Sequence, residues 1–134
     1  MIKGKHIMND KKIKLDVLIK LSKLNNFDIN NSLTIRKYIP FEEKINYIDV
    51  FINEVIDEYG NYNSLDKYFK FTMMIFNIYT NLDLNNTYEE YDKLLNSGLL
   101  DLIFSEIETD YYDLKDFIDM RFNDKLREIY SKDK

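Results

Sequence analysis

Apolar residues at 41, 45, 48, 52, 55, 56 and 59 recur three and four apart, the spacing of one face of an α-helix. Ile39-Pro40-Phe41 sets Pro in the first turn, where its missing N–H costs nothing, and Gly60 supplies a left-handed stop, so a helix is predicted up to Gly60. Ser64 is the predicted N-cap of a second helix reaching about Tyr79, with Asp66 in its first turn favouring the helix dipole. Thr87 and Glu90 have the T-x-x-E spacing of a capping box and open a third, short helix that ends at Gly98. Leu99 to Glu106 continues as a short helical piece. A last helix opens near Asp110, with Leu114, Phe117, Ile118, Phe122, Leu126 and Ile129 on one stripe.

The first forty residues carry a mixed pattern. From Ile13 to Leu21 the apolar residues alternate as in a strand, yet Val17, Leu18, Leu21 and Leu24 also share a helix face, and helix is the reading taken. Phe27-Asp28-Ile29, Asn30-Asn31 and Leu33-Thr34-Ile35 read as a small hairpin, because Asn tolerates the positive φ of a tight turn. The predicted fold is mainly α: a compact bundle of four to six helices with a small N-terminal β-hairpin. Residues 1–26 form a basic arm or helix, and residues 27–134 a single acidic helical domain.

Composition narrows the chemistry. A chain of 134 residues is the size of one ordinary domain. Cys is absent, which excludes disulfides, thiolate metal sites and a cysteine nucleophile. His6 is the only histidine, in a polar stretch, so zinc-hydrolase, haem and Ser-His-Asp chemistry lack their imidazole. With Gly only at 4, 60 and 98, a glycine-rich phosphate loop cannot be written. The missing Ala and the abundance of Lys, Asn, Ile, Asp and Tyr are the mark of AT-rich codons. Apolar runs fall short of the roughly 18 to 20 residues that cross a bilayer, and Met1 to Lys12 is too polar for a signal peptide. Seven Lys against Asp10 and Asp16 give residues 1–24 a balance of +5, leaving −10 for the remainder of a chain of net charge −5. An acidic body repels phosphate backbones, so direct nucleic-acid binding is disfavoured.

The blocks Lys37-Tyr38-Ile39-Pro40-Phe41-Glu42-Glu43-Lys44, Tyr79-Thr80-Asn81 and Tyr91-Asp92-Lys93-Leu94-Leu95-Asn96-Ser97-Gly98-Leu99-Leu100-Asp101 resemble small, mostly uncharacterised phage proteins of low-GC bacteria, associated with virion and assembly gene modules. The resemblance covers roughly residues 27 to 130 and rests on helix caps and core positions. It implies a structural or assembly role and carries over no catalytic residue.

Two surfaces are candidates for a function. In the second helix Leu65, Tyr68, Phe69, Phe71, Met73, Met74, Ile75, Phe76, Ile78 and Tyr79 cover nearly the whole circumference, so the helix is enclosed either by its own chain or by a neighbour. Few short helices are available to wrap it, and the interface expected from this is Phe71, Met74, Ile75 and Ile78. The other candidate is an acidic ridge of Asp110, Asp113, Asp116 and Asp119, which reads as a solvated face, as a weak hard-cation site, or as a mimic of a phosphate backbone. Glu42 and Glu43 lie in a first turn, where the helix dipole accounts for them.

The function expected is a non-enzymatic phage interaction protein that oligomerises or docks in virion head or tail structure or assembly. The alternative is an acidic, anti-CRISPR-like inhibitor of a host nucleic-acid-binding defence enzyme. Neither reading calls for a cofactor, a metal, a small-molecule substrate or a membrane. The partners expected are a second copy or phage structural proteins, in the bacterial host cytoplasm or the virion.

Overall fold

The computed structural model of the chain describes residues 11–24 and 32–131. Among these lie β1 (Ile13–Lys14), α1 (Leu15–Ser22), α2 (Phe41–Val55), α3 (Ser64–Tyr79), β2 (Leu82–Asp83), α4 (Tyr88–Asn96) and α5 (Leu99–Ser131). The chain is mainly α, with five helices and one two-stranded sheet among the described residues. It divides into two compact units interleaved along the sequence: residues up to Tyr38 with Met73–Glu108, and Ile39–Thr72 with Thr109 onward. Each of α3 and α5 therefore gives one segment to each unit. The described part of the basic segment, β1 and α1, is built into the first unit.

In the first unit the alternating stretch resolves into both of its readings. Ile13 and Lys14 pair in parallel with Leu82 and Asp83, and helix begins at Leu15, which with Leu18 turns into the core. The small sheet thus joins β1 to β2. Residues 27–31 of the expected hairpin lie outside the described residues, and its second arm pairs elsewhere: Ile35 bridges Thr80 in antiparallel fashion. Asn81 is the hub of this pairing. Its side chain accepts the Thr34 N–H at 2.8 Å and donates to the carbonyls of Lys11 and Ser32 at 3.0 Å. A buried amide with its bonds satisfied fixes the strand register, which two-residue strands cannot do alone. The predicted capping box is present, with Thr87 Oγ1 accepting the Glu90 N–H and Glu90 accepting the Thr87 N–H. Gly98, at φ +83°, follows α4 in the left-handed conformation that ends helices.

In the second unit the helix boundaries shift from those predicted. α2 stops at Val55 and Ile56 is extended, because Asp57 takes the backbone over. Its carboxylate accepts the N–H groups of Tyr59 and Asn61 at 2.9 Å, a local alternative to the helical ladder. Gly60, at φ +87°, serves that turn, and a Cβ there would stand 3.0 Å from the Tyr130 ring. The cap of α3 is Asn63, whose Oδ1 accepts the Asp66 N–H at 2.9 Å, while Ser64 is already helical. α5 runs unbroken through the 106–110 stretch where two helices were expected. With neither Gly nor Pro between 99 and 131, the backbone has no reason to stop there. Ile48, Phe51, Ile52, Val55, Leu114, Ile118 and Phe122 form the core of this unit.

Candidate functional site

The apolar surface of the second unit lies between α2 and the C-terminal segment of α5. Phe41, Ile45, Ile48, Phe117 and Met120, with Arg121 and Asp124, line a depression of about 320 Å³. Phe41 and Phe117 meet edge to face, with ring centroids 5.5 Å apart, the geometry their quadrupoles favour. Both Phe41 and Met120 are nonetheless 58% exposed. Lone exposed apolar residues are ordinary, but a contiguous set gathered in a depression is the usual mark of an interaction surface. A second depression of about 300 Å³ shares Arg121 and Asp124 with the first and is polar, lined also by Asp49, Asn53, Lys125 and Glu128. Arg121 donates to Asp49 at 2.7 Å, which ties α5 to α2 and raises the guanidinium pKa, first through that hydrogen bond and then through the opposite charge. Asp124 is held in turn by Arg127.

The same unit holds a buried ion pair between α2 and α5. Lys44 and Asp110 have side chains only 2% and 6% exposed, and Lys44 Nζ donates to Asp110 Oδ1 at 2.7 Å. The other oxygen, Oδ2, accepts the Ile39 N–H at 3.1 Å, and Asp113 approaches Lys44 at 3.9 Å. One carboxylate therefore holds both the chain entering α2 and a lysine of its first turn. Removing one partner of such a pair strands the other charge away from water, so the pair acts as a structural pin.

This placement corrects the acidic ridge. Asp110 is inside the unit, and only Asp113, Asp116 and Asp119 are exposed. The reason is helical geometry: a three-residue step falls about 60° short of a full turn, so three steps carry the series to the opposite side of the helix. Asp110 occupies a slot of the apolar stripe between Ile107 and Leu114. Among the described residues no group of three or more His, Cys, Asp or Glu is placed to hold a metal ion.

The residues picked on α3 also change role. Ile75 and Ile78 are 0% and 6% exposed, covered by the chain itself, so they offer no surface to a partner. Phe71 and Met74 are half-buried. Phe71 packs against the rings of Phe51 and Tyr111, at 5.9 and 5.8 Å. Phe76 is fully buried, with Phe104 at 5.7 Å. The apolar surface gathered in a depression is that of exposed Phe41, Ile45 and Met120 with half-buried Phe117, none of them among the interface residues expected on α3.

Among the described residues no helix is long and apolar enough to cross a membrane. Comparison of the chain with protein-family models, curated proteins and solved structures finds no match.

Proposed function

We propose that this chain is a non-enzymatic interaction protein that oligomerises or docks in building a phage virion, in its head or tail, and that it docks through the groove between α2 and α5. The observation that carries the reading is the depression of exposed Phe41, Ile45 and Met120 with half-buried Phe117, between helices joined by the Arg121–Asp49 pair. An apolar depression with a charged margin is what a protein partner needs for an anchor and an orientation. The phage setting rests on the resemblance of the blocks at 37–44, 79–81 and 91–101, and it puts the protein in the bacterial host cytoplasm or the virion. No cofactor, metal or small-molecule substrate enters this reading.

Tagged protein in a lysate of infected cells should recover capsid, portal or tail components, and Met120→Asp should lose them. Recovery of a nuclease in their place, retained by Met120→Asp and lost when Asp113, Asp116 and Asp119 become Asn, would overturn the assembly reading. That outcome belongs to the second reading, an acidic inhibitor of a nucleic-acid-binding defence enzyme, which has those three exposed carboxylates in its favour.

A further inference from the structure

The groove has a complement on the same chain. Residues 11–24 carry five Lys against one Asp, a balance of +4. α1 presents Val17 to solvent, with Lys20 on the same side of the helix, and Leu24, two residues beyond its end, is exposed as well. The helix ends at Ser22, and a closing turn follows in which the Lys23 and Leu24 N–H groups donate three residues back, to the carbonyls of Lys20 and Leu21. Positions 17 and 20 or 21 have the i, i+3/i+4 spacing by which an amphipathic helix enters a groove, and the closing turn adds Leu24 beyond them. The second unit is of opposite sign: its described residues hold thirteen carboxylates against seven cations, or −6. The groove lining holds one cation and one carboxylate, Arg121 and Asp124, and exposed Asp116 follows next to Phe117 in sequence.

We propose that the occupant of the α2/α5 groove is α1 of a second copy of this chain with the turn that closes it, Val17 and Leu24 lying against Phe41, Ile45 and Met120 and Lys20 and Lys23 facing Asp116 and Asp124. This rests on the reading of the groove as a docking surface and names its partner. The two contacting surfaces differ, so the association is head to tail: each copy uses its groove for one neighbour and its α1 for another. Such an interface closes into a ring or grows as a filament according to its rotation. A single helix face gives a small contact, so the association is weak and depends on concentration.

Sedimentation of the full chain from about 10 μM to about 1 mM, the span expected of a weak contact, tests this. Wild type should grow beyond a dimer, and more so at about 0.1 M than at 1 M salt, because screening shortens from about 10 to about 3 Å. Met120→Asp and Val17→Asp, both at exposed positions, should each weaken growth roughly tenfold or more. Lys20→Glu with Lys23→Glu does the same without touching an apolar residue, and circular dichroism checks that each variant is folded. An equimolar mixture of Met120→Asp and Val17→Asp should form a one-to-one dimer and stop there, since one intact groove meets one intact α1. Absence of that dimer, a wild type monomeric throughout, or growth indifferent to all three variants would overturn the proposal. The docking reading would still stand if the virion-component capture succeeded, which separates the two failures.

Discussion

The C-terminal segment of α3 and the outer face of α2 and α5 use the same kinds of residue and meet opposite fates. Met73, Ile75 and Phe76 are enclosed by the chain, while Phe41, Ile45 and Met120 stand at least partly in water. Both segments are rich in Phe, Ile and Met, so hydrophobicity alone does not tell a core from a docking face. What separates them is the number of elements of the same chain available to cover each side.

The sharpest way to break this contrast is to truncate one ring on each side of it. Phe76→Ala should cost about 3–5 kcal/mol, the transfer loss plus the cavity beside Phe104. Phe41→Ala, at a mostly exposed ring whose edge contact is with Phe117, should cost no more than about 1.5 kcal/mol. Urea unfolding of the two variants measures both, and equal costs would erase the distinction between core and surface. The same comparison can be drawn with charges on α5. Asp110→Ala should destabilise by about 3–5 kcal/mol because Lys44 stays buried without that carboxylate, whereas exposed Asp116→Ala should fall within about 0.5 kcal/mol of wild type. Four equivalent aspartates in a solvated ridge would give four small and similar values.

Those two pairs also show how far the sequence could be read. The apolar spacing of α2, the span of α3 and the Thr87–Glu90 box were legible because each is a local device: a Pro at a first turn, an uninterrupted apolar run, two side chains three residues apart. The continuity of α5 was not, since Asp110 takes a core slot and an acid there looks like the first turn of a new helix. Its partner, Lys44, is 66 residues away in sequence, and no periodicity marks a lysine as buried. The early end of α2 has a related cause, since the Asp57 side chain, and not Gly60, takes over the backbone there. The groove itself depends on which faces two separate helices leave uncovered, a property of packing and not of either helix.

Smaller effects sharpen the picture further. Thr87→Ala should cost about 1 kcal/mol and loosen α4 alone, seen as faster amide exchange at Glu90, since the box satisfies donors that water can otherwise reach. At alkaline pH the second unit should respond through Tyr111. Burial, then the neighbouring Tyr112, raises its pKa above the usual 10.0. A folded-state pKa above the unfolded value means that this contribution is whole below about pH 10 and is lost as pH rises through the folded value. Tyr111→Phe should therefore flatten the alkaline fall in stability, read as thermal midpoints between pH 9 and 11.

Peroxide footprinting of the native protein puts the central claim to the most direct test, because Met120 and Met73 are one side chain in two surroundings, 58% and 1% exposed. At low concentration Met120 should oxidise readily and Met73 hardly at all, and raising the concentration should slow oxidation at Met120 alone. Oxidation of Met73 as fast as Met120, or a rate at Met120 that stays the same at every concentration and with every partner, would contradict the account.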